Sequence, residues 1–233
     1  MSALPVPSPS EFHLGILMLR TAFPRLLGDI GHPDSFDYPV RYQTVSSASV
    51  PRVVNAHIDE SVVLDFQHAG QTLIDQGASM LATSCGFVCA IHDRLQSRLS
   101  VPLVSSALNV LPSLCDDPAR AGPIGILTFD ARVLAQIPLG RFQRDHVVIQ
   151  GLEESREFYP TIREDRTSWC EARVEAEVMA AADALKARAA DMTTLVLECT
   201  NLSPWRLALS HRLGIEVHDI HTAIRHGRCY GPF

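Results

Sequence analysis

Two cysteines stand where a parallel α/β fold exposes its chemistry. Cys85 follows the apolar run SMLATS and precedes a helical pattern that starts near Gly86; Cys199 follows TTLVLE and precedes SPWRLALSHRL. In such folds ligands gather beyond the carboxyl ends of the strands. The unpaired N–H groups of a helix start favour anions there, a thiolate included. That contribution is about 0.5–2 kcal/mol, or about half to one and a half pKa units. It is expected to bring each thiol close to neutrality without ionising it outright. Two such groups on opposite walls of a cleft, one thiolate and one thiol, can take a proton from a carbon next to a carboxylate and return one on the other face. With no cofactor as electron sink, backbone N–H groups of the two cysteine turns would have to hold the enediolate-like charge. Gly86 lets the backbone approach closely, and Thr200 and Asn201 add side-chain donors.

The elements that would position this pair are written twice. Residues 80–107 lie on the stretch from Thr194 without a gap when Cys85 is set over Cys199; Leu95 then meets Leu209, Arg98 meets Arg212 and Leu99 meets Leu213. Upstream, LGILML from Leu14 resembles IGILTF from Ile124, with Gly15 70 residues before Cys85 and Gly125 74 before Cys199. Repeated units of this kind indicate an internal duplication. Periodicity places strands at Leu14–Leu19, Val40–Val45, Ala78–Ser84, Pro102–Ser106, Pro123–Phe129, His146–Gln150, Thr193–Glu198 and Ile215–His218. A helical pattern with Val62, Val63, Phe66, Leu73 and Ile74 on one face ends at Gly77, and another runs over about Trp169–Ala190. The helix after Cys199 is expected to open with Ser203 as N-cap and Pro204 at its first position, and to close at Gly214.

Strands alternating with helices imply an α/β fold. The duplication makes it two similar lobes, each a mostly parallel sheet flanked by helices, with a cleft between them. The first lobe is expected over residues 1–118, with 1–12 a loose arm, and the second over 119–233. DDPARAG at 116–122 would link them, and the segment from His221 could pack back on the first lobe.

Composition narrows the chemistry. The chain has 233 residues, a net charge of −6, 46% hydrophobic and 20% charged residues, an ordinary balance for a soluble protein. The modest negative charge speaks against nucleic acid and against a membrane surface as partners. The N-terminus MSALPVPSPSEF lacks the cationic and apolar parts of a signal peptide, and no apolar run is long enough to span a bilayer, so a cytoplasmic location is expected. The six cysteines are spread out with no C-x-x-C and are expected to be reduced, without a structural metal. Lys186 is the only lysine and is expected on the wet face of a long amphipathic helical pattern, which speaks against the buried lysine of a pyridoxal-phosphate Schiff base. Neither G-x-x-x-x-G-K-[ST] nor G-x-G-x-x-G occurs, and no cofactor is expected.

The paired motifs TSCGF and LECTNL, with GILMLR and GILTFD at the strand starts, resemble the aspartate/glutamate racemase superfamily. Its cofactor-independent two-cysteine racemases have maleate isomerase-like and arylmalonate decarboxylase-like relatives. The resemblance implies that Cys85 and Cys199 are the catalytic pair. It implies further that Thr200 and Asn201 hold a substrate carboxylate, that Thr128 makes another contact, and that Ser84, Gly86 and Phe87 line the first turn. Arg20, at the end of the first strand, could clamp a second carboxylate. The amino-acid racemases of that family usually show Cys-Asn-Thr at the first cysteine, whereas here Gly86 and Phe87 follow Cys85. The reading is therefore an isomerase, a racemase or epimerase of a small carboxylate. The alternatives are a maleate-type cis-trans isomerase with a cysteine nucleophile and a non-catalytic carboxylate-binding protein; redox sensing through the thiols has least support. Family members are often dimers, so a homodimer is the expected assembly. Glu198, His218 and His221 lie close enough to strand ends to be further candidates.

Overall fold

The computed structural model describes residues 12–117, 122–137 and 147–230. The expected arm over most of 1–12, the middle of the 116–122 linker and His146 lie outside these residues. All eight expected strands are present, as two four-stranded parallel sheets. In the first, β1 (Leu14–Leu19), β2 (Val40–Val45), β3 (Met80–Thr83) and β4 (Leu103–Val104) run in the order β2-β1-β3-β4. In the second, β5 (Ile124–Thr128), β6 (Val147–Gly151), β7 (Thr194–Leu197) and β8 (Glu216–His218) run in the order β6-β5-β7-β8. The central strands are continuous apolar runs because helices cover both of their faces; β5 and β7 are buried throughout. The edge strand β2, VRYQTV, alternates polar residues and is mostly open on one side.

Nine helices accompany the strands among the described residues. The first lobe has α1 (Val50–Val53), α2 (Glu60–Asp75), α3 (His92–Gln96) and α4 (Leu111–Asp116). The second has α5 (Ala131–Leu134), α6 (Phe158–Arg163), α7 (Glu171–Arg188), α8 (Arg206–Leu213) and α9 (Ile220–Tyr230). Helix α2 buries Val62, Val63, Phe66 and Leu73, spaced for one face, and stops where Gly77 takes φ +94°. Helix α7 buries Val174, Val178, Ala182 and Leu185 in the same way. Lys186 on α7 is half-buried rather than on the wet face, and its Nζ donates to the carbonyl of Met192 at 2.6 Å.

The duplication holds element by element. Strand β3 and strand β7 keep the alignment that sets Cys85 on Cys199, and so do the two six-residue 3-10 turns that follow, Gly86–Ile91 and Thr200–Trp205. Helices α3 and α8 begin at matched residues, His92 and Arg206. The sheet registers also match: Leu14 pairs Met80 as Ile124 pairs Thr194. Gly15 and Gly125 occupy one position in the two sheets for one reason. A Cβ on Gly15 would meet Leu81 Cδ2 at 2.6 Å and Leu73 Cδ1 at 3.0 Å, and one on Gly125 would overlap Met192 Sδ and reach Leu185 Cδ2 at 3.0 Å, so each glycine lets the covering helix close on the sheet.

The start of α8 corrects the expected cap. Cys199, not Ser203, is the N-cap residue of the turn, Pro204 sits inside the 3-10 segment, and α-helical geometry begins only at Arg206. Gly214 closes α8 in the left-handed region, φ 65°, as the sequence implies. Helix α9 packs against β4 and the turn Ala107–Val110 of the first lobe. The long loop between β1 and β2 lies over the second lobe: Asp165 Oδ1 accepts from the N–H groups of Ala22 and Phe23 at 2.6 and 3.1 Å, and His221 Nε2 meets the Gly28 carbonyl at 2.8 Å.

Candidate active site

The carboxyl ends of β3 and β7 face one narrow cavity, and both cysteines line it. Each sits at the same place in its own lobe, immediately before a 3-10 turn and with extended backbone. The N–H two residues on faces the sulfur in both cases, Phe87 for Cys85 and Asn201 for Cys199. The cavity has room for little more than one ordered water, with Leu19, Phe23, Val50, Val54, Phe129 and Ile162 closing it.

Burial overturns the expected thiol poise. The Cys85 thiol is pushed up to about 12, first by desolvation and second by the charge of Glu198. Cys199 is buried, and its thiol is raised well above the ordinary value by the same two causes in the same order. The facing N–H groups act in the opposite direction and lose. A short 3-10 turn offers fewer aligned peptide dipoles than the helix start assumed from sequence, while the walls of the cavity remove water from the sulfur. Cys85 retains a partly exposed surface, whereas Cys199 is buried.

The remaining expected residues divide. Ser84, Gly86, Phe87, Thr200 and Asn201 line the cavity with the cysteines. Ser84 Oγ accepts from the Leu19 N–H at 2.9 Å, which ties the end of β3 to the end of β1. Thr200 Oγ1 donates across the cleft to the Ser84 carbonyl at 2.8 Å. Asn201 bridges its neighbours: Oδ1 accepts from Cys199 Sγ at 3.6 Å, and Nδ2 donates to Asp29 Oδ2 at 2.6 Å. Thr128 and Arg20 do not reach the cavity. Thr128 is fully buried, and its hydroxyl donates to Glu198 Oε2 at 2.6 Å. Arg20 is exposed, and its Nε donates to the Ser46 carbonyl at 3.0 Å.

The arginine in the cavity wall is Arg25. Its Nη1 donates to Asp29 Oδ1 at 2.9 Å, its Nη2 to Thr21 Oγ1 at 3.1 Å, and its guanidinium lies 4.5 Å over the Phe23 ring. Arg25 and Asp29 escaped the sequence reading because they belong to an irregular loop whose path over the site has no periodic signal. The pair's spacing, i to i+4, was the only hint. Glu198 also lines the cavity; it is wholly buried, where the sequence left its direction open. His218 and His221 do not line the cavity: His218 Nε2 lies 3.3 Å from Glu216 Oε1, and His221 is held by Gly28. A wider hollow bounded by Ser113, Arg206, His218 and Arg225 contains neither cysteine. Among the described residues no helix is long and apolar enough to cross a membrane.

Comparisons with known proteins bear on the family and the fold. Residues 34–224 match the family model described as Asp/Glu/Hydantoin racemase. A dimethylsulfoniopropionate lyase from Durusdinium sp. clade D is 25% identical over 225 residues, covering 91% of this chain and 73% of that protein. A dimethylsulfoniopropionate lyase 3 from Emiliania huxleyi is 26% identical over 216 residues, covering 88% of this chain but 56% of that protein, so the chain spans little more than half of that relative's length. Among solved structures, an allantoin racemase from Klebsiella pneumoniae superposes with a TM-score of 0.62 at 14% identity, covering 95% of this chain and 89% of that one. A glutamate racemase from Bacillus anthracis gives a TM-score of 0.57 at 16% identity, covering 93% and 80%. The structural likenesses speak to the fold, and the family match extends from the loop after β1 to the middle of α9 across both cysteine turns: the chain belongs to the Asp/Glu/Hydantoin racemase family.

Proposed function

We propose that the protein is a cofactor-independent racemase or epimerase of a small carboxylate, with Cys85 and Cys199 as its acid–base pair. The observation that carries this reading is the placement of two equivalent cysteines, one from each lobe, in a single cavity at the carboxyl ends of β3 and β7. A substrate carbon between them would lose its proton to one sulfur as thiolate and receive the other thiol's proton on the opposite face. The return reaction starts from the exchanged protonation state, so one pair serves both directions. Arg25 is the cation in the wall, suited to a carboxylate. The tightness of the cavity favours a small substrate and requires the loop after β1, or the two lobes, to part for entry.

The similarity to dimethylsulfoniopropionate lyases supports a second reading with the same first step. In a carboxylate bearing a sulfonium group one carbon further on, removal of the proton next to the carboxylate lets the carbon–sulfur bond break. The electron pair leaves with the sulfide, and only one cysteine is then needed as base.

Incubation of a panel of small carboxylates, dimethylsulfoniopropionate among them, in heavy water separates the readings. Racemisation predicts deuterium at the substrate stereocentre and a loss of about 10²–10⁴-fold in both Cys85→Ser and Cys199→Ser. Elimination predicts release of sulfide and strong dependence on one cysteine alone. Turnover without proton exchange would instead fit a cysteine nucleophile of the maleate type. Carboxylate binding without turnover, unchanged in both serine variants, would leave a binding protein.

A further inference from the structure

Removing a proton next to a carboxylate leaves charge on oxygen, and this cavity holds one side chain suited to receive it. Glu198 is covalently next to Cys199 and wholly buried. Its Oε2 accepts from Thr128, and the Phe129 N–H lies against the same carboxyl. Its Oε1 is buried without a hydrogen-bond partner, and a Cβ on Gly86 would overlap it, so that oxygen lies against the Cys85–Gly86 turn. One carboxyl oxygen is therefore fixed by the protein, and the other is left at the junction of the two cysteine turns.

We propose that Glu198 is a third catalytic residue, held as a neutral acid, whose Oε1 hydroxyl donates a hydrogen bond to the substrate oxygen that gathers charge as the proton leaves carbon. The proposal rests on the two-cysteine reading above. With Oε2 already accepting from Thr128, Oε1 is the oxygen placed to carry the proton. The charged and titratable groups around it are Cys85 and Cys89 from the first lobe, Cys199 beside it, and Arg25 in the cavity wall, with Asp29 behind Arg25 on the loop. Arg25 is paired with Asp29, and burial rather than either charge sets the direction at Glu198. Burial raises the Glu198 carboxyl to about 7. A bound carboxylate adds like charge and drives it further towards the neutral form. The neutral form also removes the Glu198 charge that opposes a thiolate at Cys85 and Cys199.

The step balances without another reagent. The electron pair of the broken C–H bond moves into the carboxyl group, the proton goes to one thiolate, and the opposite thiol supplies a proton to the other face. Glu198 keeps its proton and lends it as a hydrogen bond, the arrangement by which a buried neutral acid stabilises an enolate oxygen.

Infrared spectroscopy of the unliganded protein is the first test. The parent should show a carboxylic acid band that titrates near pH 7 and is missing from Glu198→Gln; a parent without it overturns the proposal whatever the activity. The second test follows deuterium exchange against pH on the panel member that the parent exchanges fastest. Thiol ionisation raises exchange with pH in both proteins, so the reading is the ratio of the parent's rate to that of Glu198→Gln, which should fall about tenfold per pH unit above pH 7 as the parent's carboxyl ionises. Glu198→Gln keeps a donor and should retain at least about a tenth of the parent's rate below pH 7, while Glu198→Ala should lose about 10²–10³-fold. A ratio of parent to Glu198→Gln that does not change with pH overturns the proposal. Exchange that survives Cys85→Ser and Cys199→Ser overturns the two-cysteine reading instead, with the infrared band still reporting on Glu198.

Discussion

At the residue scale, one carboxyl and two thiols compete for a small amount of solvation. Each is raised first by burial, and the Glu198 charge is the next cause for both Cys85 and Cys199. This has a consequence for stability that needs no substrate. Glu198 is raised from 4.5 to about 7, so its neutral form favours the fold. That favourable contribution is fully present below pH 4.5 and is lost progressively as pH rises to about 7, because the unfolded chain ionises first. Glu198→Gln cannot ionise. It is expected to match the parent below pH 4.5 and to exceed it by up to about 3 kcal/mol above pH 7, less whatever the Thr128 contact loses. Urea unfolding at pH 4.5 and pH 8 measures this; a stability difference between parent and variant that does not change with pH would contradict it.

At the scale of elements, both cysteine turns are built as a strand, a cysteine, a six-residue 3-10 turn and a helix, and the two copies differ in what they can tolerate. The first copy has Gly86 where the second has Thr200. The reason lies in the other lobe, since a Cβ on Gly86 would overlap both the carbonyl oxygen and Oε1 of Glu198. Backbone cannot yield as a flexible side chain can, so Gly86→Ala is expected to cost about 1–3 kcal/mol and to abolish activity by displacing Glu198 from the turn. Gly77→Ala is the control: nothing lies within 4 Å of its Cβ, φ is +94°, and the variant should lose only about 1–2 kcal/mol with activity retained. Thermal unfolding and exchange assays on the two variants check the contrast. Equal loss of activity in both would show that the close approach at Gly86 does not matter.

At the scale of the whole molecule, the loop after β1 ties the lobes together at a buried and an exposed point. The buried one is Asp29, which accepts from Arg25, from the Gly31 N–H at 2.6 Å and, across the cleft, from Asn201. Removing one partner of such a buried network leaves Arg25 and Asn201 uncompensated, so Asp29→Ala is expected to destabilise by about 3–5 kcal/mol. The exposed point is Asp165, itself at φ 56°, holding the N–H groups of Ala22 and Phe23. Asp165→Ala should cost only about 1 kcal/mol in unfolding experiments. It should nevertheless speed hydrogen exchange at Ala22 and Phe23, because their amides lose the acceptor that closes the loop over the cavity. Exchange at those two amides unchanged from the parent would show that the loop is held by other contacts.

The amino-acid sequence alone determined the eight strands, the duplication and the two cysteine positions. Those follow from local apolar runs and from comparing the chain with itself, and a strand such as Leu14–Leu19 has one environment it can satisfy. The cap at Ser203 was misplaced because Pro204 fits a 3-10 turn as well as a first helical position. The cavity itself was decided only by the tertiary structure. Thr128 meets Glu198 across 70 residues of chain and Asp29 meets Asn201 across 172, and neither partner carries a mark of the other. Arg25 rather than Arg20 reaches the site because an irregular loop folds over it. The state of the thiols was decided there too, since desolvation depends on which side chains surround a sulfur, and that is a property of packing that no spacing along the chain encodes.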